Sequence, residues 1–213
     1  MIKKLPLIEL QIDPENESFV SAISIVSSPA IESSFIAFST EQKTNNHFNF
    51  SDERMELIGI AMKANVPIYR NDPKVGEFAV VFSAETIREI AQTFFKRNFS
   101  ANMNVEHSEI DADSFVFQSY IVDSSKGMHA PKGIVDANDG DWIVGVKVQS
   151  TKVWQEIKAG KIQGFSVEGI FDMLNTDTII DFQFNNLKKD SQILEFTDEL
   201  EAELDKIIKQ FNL

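Results

Sequence analysis

The sequence contains no cysteine, which removes disulfides, thiolate metal sites and cysteine nucleophiles together. Positive charge is also scarce: 20 Lys and Arg stand against 33 Asp and Glu, a formal net charge of −13 over 213 residues. Binding a phosphate backbone needs a basic face, so no nucleic-acid partner is expected. No apolar run approaches the roughly 18 residues of a membrane span, so no membrane partner is expected either. The opening Met1-Ile-Lys-Lys-Leu-Pro-Leu7 reaches Glu9 too soon for a secretory apolar segment. Walker-type and Rossmann glycine patterns are missing, which leaves a nucleotide cofactor without support.

What is present is material for a core. Apolar residues make up 43% of the chain and phenylalanine alone supplies 18, enough to exclude wholesale disorder. Alternation predicts strands at 7–12 and 22–26, separated by turn chemistry at Asp13-Pro14. Residues 39–54 are polar and read as a linker. Further strands are predicted over 55–62, 77–82, 114–123, 142–148, 162–171 and 178–184, with a short extended piece at 67–70. In the 114–123 strand, Phe115, Phe117 and Ile121 should share one face. Ser83 should cap a helix whose apolar positions are Ile87, Ile90, Ala91, Phe94 and Phe95, and Ser150 or Thr151 a shorter one carrying Val153, Trp154 and Ile157. The last segment, 187–213, reads as an amphipathic helical tail with Leu200, Leu204, Ile207, Ile208 and Phe211 in one stripe. The fold class is α+β, mainly β, with antiparallel pairing favoured over a βαβ order.

Of the three histidines, His47 lies in the polar linker and His129 in a Gly/Pro-rich loop, so neither has a rigid support. His107, in Asn104-Val-Glu-His107, sits between a helix and a strand. The second feature is Gly164-Phe-Ser166-Val-Glu168-Gly169, where alternation puts Ser166 and Glu168 on the face opposite Phe165 and Val167. A serine hydroxyl needs a base to remove its proton, and His107 would meet that need. The plainer alternative is a surface serine beside a bulge. An α/β-hydrolase elbow is rejected, because the spacing is Gly164-x-Ser166-x-x-Gly169 and another strand follows. Glu106, His107, Glu109, Asp111 and Asp113 crowd together, but match neither a His-Glu-x-x-His helix nor a calcium-binding loop. No metal and no other cofactor is assigned.

Several segments, in order, resemble the XkdF-type serine proteases of tailed phages. They include Val20-Ser-Ala-Ile-Ser-Ile-Val-Ser-Ser-Pro-Ala-Ile31, Val66-Pro-Ile-Tyr-Arg70, Asn104-Val-Glu-His107, Trp142-Ile-Val-Gly-Val-Lys-Val148 and Gly164-Phe-Ser-Val-Glu-Gly169. Such proteins group with prohead maturation proteases and, distantly, with herpesvirus assemblins. The resemblance implies an antiparallel, barrel-like assemblin or prohead-protease core with surrounding helices. On that view 1–38 supplies N-terminal strands of the protease domain, 39–54 a linker, 55–186 the core and 187–213 the tail. It also implies an endopeptidase that cleaves scaffold and major capsid precursors inside the assembling prohead, in the host cytoplasm, as a homodimer or higher oligomer. Ser166 would be the nucleophile and His107 the base. Glu168 and Asp181 are the candidates for the third catalytic member. Where relatives tend to carry Glu-Ser-Trp, this chain has Gln118-Ser-Tyr120, and a glutamine there could orient a histidine without charging it. Backbone N–H groups in 125–133 are the candidate oxyanion donors. The rival reading is a catalytically silent capsid-interior scaffold or structural protein with the same fold.

Overall fold

The computed structural model of the chain describes residues 2–13, 15, 18–29, 31, 36–37, 54–73, 75–183 and 209. The predicted linker, apart from Arg54, and the predicted tail helix, apart from Lys209, lie outside the described residues. Strands dominate: β1 (Ile2–Gln11), β2 (Phe19–Val26), β3 (Ile36–Ala37), β4 (Glu56–Met62), β5 (Ile68–Asp72), β6 (Gly76–Val81), β7 (Met103–Val105), β8 (Ser114–Ile121), β9 (Trp142–Val148), β10 (Gly164–Ile170) and β11 (Asp172–Gln183). Among the described residues two α-helices of more than one turn accompany them, α1 (Ala84–Lys96) between β6 and β7 and α2 (Thr151–Lys158) between β9 and β10. The result is mainly β with a curled half-barrel sheet. No helix among the described residues is long and apolar enough to cross a membrane.

The strands form three sheets, ordered β11-β1-β6-β5, β10-β2-β7 and β3-β4-β9-β8. Pairing is antiparallel except for β1 with β6 and β2 with β7. β1 and β2 are therefore not a preface to the domain. Each is flanked by strands from much later in the chain, so the N-terminal residues are needed to close two of the sheets.

Three strands depart from the alternation read in the sequence, each for a traceable reason. β1 extends back to Ile2 through Pro6. The proline is tolerated because the parallel contact with β6 begins only at Leu7, so the amide that proline lacks has no ladder partner on that side. β11 begins at Asp172 rather than 178, and its register against β1 slips between Leu7 and Ile8. Thr176 and Asp177 form the irregularity: Asp177 takes φ +51 and Thr176 Oγ1 donates to Leu7 O at 2.6 Å. In β8, a bulge between Val116 and Gln118 flips the pleat. Val116 is consequently buried and Phe117 exposed, so Phe115, Phe117 and Ile121 do not share a face.

The helices close the core where their caps predict. Ser83 Oγ accepts the Thr86 N–H at 3.2 Å, and Ile87, Ile90, Ala91 and Phe94 turn inward, while Phe95 is partly exposed. Arg97, just past α1, lies 3.9 Å over the Phe19 ring of β2, a cation–π contact that fixes the helix end against the sheet. Ser150 Oγ accepts from Val153 N at 3.3 Å, and Val153, Trp154 and Ile157 are buried. Trp142, Val144, Val146 and Val148 line the main core from one face of β9, and Ile143 on the other face joins a smaller cluster with Ile58, Ile60, Val122 and Ile134.

Candidate functional site

The sheet β10-β2-β7 carries apolar side chains on its core face, including Ile23, Ile25 and Phe165. Its other face is polar because the period of two puts every second residue there. Register makes this a row: Ser166 of β10 stands opposite Ser24 of β2, and Ser24 opposite Asn104 of β7. Glu168 follows two residues along β10. Ser24 is fully buried and Ser166 is 5% exposed, so the row is largely shielded from water.

His107 reaches this row from the turn after β7. Glu106 and His107 both adopt left-handed backbone, at φ +54 and +52, a conformation costing on the order of 1–3 kcal/mol for each non-glycine residue. Several bonds hold the turn in place. Glu106 N donates to Ile25 O at 3.1 Å, Glu106 Oε1 accepts from Ser27 N at 2.6 Å, and Ser108 Oγ donates to Val105 O at 2.6 Å. These bonds offset the strain, and the result is one imidazole aimed at β2 and β10.

The ring lands on Glu168. His107 Nδ1 lies 3.0 Å from Glu168 Oε1 and 3.1 Å from Ser24 Oγ. The same carboxylate oxygen accepts from Asn104 Nδ2 at 2.6 Å and from Ser24 Oγ, and Ser24 Oγ is also 2.6 Å from Asn104 Oδ1. Burial pushes the Glu168 carboxyl up, but the bonds from His107, Ser24 and Asn104 outweigh it and hold the group down at about 2. It is therefore an anion throughout the neutral range. An anion on Nδ1 places the ring proton there, leaving Nε2 as the nitrogen able to accept one. Ser24, although a serine beside the histidine, is on the Nδ1 side with the acid. Ser166 stands one strand away, across a spacing of about 4.8 Å.

The other sequence candidates lie elsewhere. Asp181 is on β11, opposite Lys4 of β1 in a different sheet. His47 is outside the described residues. His129 is in the loop after β8, where its carbonyl accepts from Tyr120 Oη at 3.0 Å. Gln118 lies over Gly145 of β9, which leaves no room for a Cβ there, and the carboxylate facing His107 belongs to Glu168 instead. In the 125–133 loop, the amides of Lys126, Gly127 and Met128 already donate to the carbonyls of Asp123 and Ser124. Of the acids around His107, Asp111 Oδ1 accepts from Asp113 N at 2.7 Å in a local turn, and Glu106 accepts from Ser27 N, which follows β2. No group of three or more such side chains converges as a metal site among the described residues.

Residue type and spacing do not single out Ser24 and Asn104. A signal exists in Ala22-Ile-Ser-Ile-Val26, where the serine alternates with two isoleucines and so falls on the face opposite them. Only its register against Ser166 gives it meaning.

A family model described as "Putative phage serine protease XkdF" matches residues 49–175 of the chain. The matched stretch contains His107, Ser166 and Glu168 but not β2, which supplies Ser24. No curated protein and no solved structure matches the chain.

Proposed function

Since the chain belongs to the XkdF phage serine protease family, we propose that it is a serine endopeptidase acting on scaffold and capsid precursors in the assembling phage head. The observation that carries this reading is the 3.0 Å contact between His107 Nδ1 and Glu168 Oε1, on the sheet face that also presents Ser166. Ser166 Oγ attacks the scissile carbonyl while His107 Nε2 takes its proton. The same nitrogen then protonates the leaving amine, and a water, deprotonated in turn by His107, releases the acyl group from Ser166. Glu168 keeps the imidazole in the tautomer with Nδ1 protonated and stabilises the imidazolium that forms at each step. Ser24 and Asn104 position Glu168. The half-barrel would correspond to the assemblin core, and a homodimer or higher oligomer inside the prohead would be the working form.

The test is co-expression with the adjacent scaffold and major capsid proteins, followed by intact-mass spectrometry of all products. Wild type should release defined fragments. Ser166→Ala should lower the cleavage rate by at least about 10³-fold with unchanged circular dichroism. Heads that assemble around the wild-type protein with every precursor uncut would replace this reading with that of a silent structural homologue.

A further inference from the structure

An anion beside a histidine favours the imidazolium, and an imidazolium cannot take a proton from serine. The 3.0 Å contact between Glu168 Oε1 and His107 Nδ1 therefore helps the transition state but, unopposed, would disarm the base at neutral pH. The other ionisable groups of the segment after β7 are Glu106, Glu109, Asp111 and Asp113. The carboxylates of Glu106 and Asp111 accept from Ser27 N and Asp113 N. On this sheet face β2 presents Ala22, Ser24 and Val26, and β10 presents Gly164 and Ser166 besides Glu168. All the charges in this set are negative and favour the imidazolium, so the opposition has to come from other donors on Glu168. Two reach the same oxygen. Ser24 carries one proton and has two acceptors, Glu168 Oε1 and, at 2.6 Å, Asn104 Oδ1, so it serves one at a time. Asn104 Nδ2 donates to Glu168 Oε1 at 2.6 Å and has no competing acceptor among the described residues.

We propose that Asn104 sets how strongly Glu168 draws a proton onto His107, keeping the imidazole able to act as a base at neutral pH. The inference rests on the protease reading and goes beyond the holding of Glu168 in place. A hydrogen bond donated to a carboxylate spreads its charge and leaves it a weaker acceptor for the next donor. Asn104 acts through Glu168 and touches no substrate. Placing and tuning predict opposite results. If Asn104 only held Glu168, its loss would loosen the pair, and the ring would give up its proton at lower pH. If Asn104 competes for the carboxylate, its loss tightens the pair, and the ring keeps its proton to higher pH.

The experiment titrates the His107 ring by NMR, its signal identified by its absence in His107→Asn, in the full chain as wild type, Asn104→Ala and Asn104→Leu. In parallel, kcat/KM is measured against pH on a synthetic peptide spanning the site that co-expression reveals. Asn104 is half-buried, so neither substitution threatens folding, and leucine keeps the volume while supplying no donor. Both variants should move the ring titration and the acid limb of the rate profile upward by about half to one pH unit. On that limb the shift is a loss of about 3–10-fold in kcat/KM, and above about pH 8 the rates should converge to within about threefold. A ring titration unchanged or lowered in both variants, or a rate loss equal at every pH, would overturn the tuning and leave the protease reading standing. A raised titration with no cleavage by the wild type would uphold the competition for Glu168 and overturn the protease reading.

Discussion

Glu168 is partly buried yet ionised, because three donors converge on one of its oxygens. That convergence separates two effects of removing its charge. Glu168→Gln preserves an oxygen for the His107 Nδ1–H but no longer stabilises an imidazolium, so kcat should fall by about 10² to 10⁴-fold with KM little changed. The same substitution should alter acid sensitivity. With a folded-state value of about 2 against a reference of 4.5, the carboxylate contributes stability above about pH 4.5 that is lost as pH falls towards 2. Urea unfolding at pH 6, 4 and 2.5 should show a shallower decline for Glu168→Gln than for the wild type over that window. An equally steep decline in both proteins would mean that the bonds to Glu168 do not persist in solution.

The pairing of β10 with β2 is the element on which the geometry depends, and it tolerates no extra atom at one point. The register shifts between Glu168 and Gly169, and a Cβ built on Gly169 would stand 2.4 Å from Phe19 O and 2.8 Å from Val20 Cα. Both neighbours are backbone, so neither can rotate away. Gly169→Ala should therefore cost about 2 kcal/mol or more in chemical denaturation. It should also reduce activity in the protein that remains folded, since the adjacent residue is Glu168. The left-handed pair Glu106 and His107 is the complementary device, in the turn after β7. One strand bulges to aim a carboxylate and the other coils against its preference to meet it with a ring.

Across the molecule, the loop after β8 is tied to the end of β4 by one buried carboxylate. Asp141 is inaccessible to solvent, and its two oxygens accept from Ala64 N at 2.7 Å and Asn138 N at 2.8 Å. Burial pushes its carboxyl up, and those two bonds act against the shift. Asp141→Ala would strand two backbone amides, a loss of about 1–3 kcal/mol per unsatisfied group. Asp141→Asn keeps one acceptor and should cost less. Neither change touches His107, Glu168 or Ser166, so below the melting transition both variants should cleave peptides at the wild-type rate. Thermal denaturation alongside the peptide assay checks both halves of that expectation.

Local chemistry makes most elements legible in the amino-acid sequence. Apolar periodicity and the serine caps mark α1 and α2, and alternation marks most of the strands. The misreadings fall where a bulge flips the pleat, at Phe117, or where a long-range partner extends a strand, at β1 and β11. Periodicity along one segment carries no information about the strand beside it. The same limit applies to the site. Ser166 and His107 stand out as chemistry-bearing residues by type and neighbourhood, and the family resemblance by ordered motifs. Sequence puts Glu168 and Asp181 on equal terms as carboxylates on late strands. Register sets one beside His107 and the other opposite Lys4 in another sheet. Ser24 meets Glu168 across 144 residues of chain, a contact that exists only because β2 is paired with β10. Side-chain identity and spacing thus determine which groups can react, whereas which groups meet depends on strand order and register, properties of the folded chain as a whole.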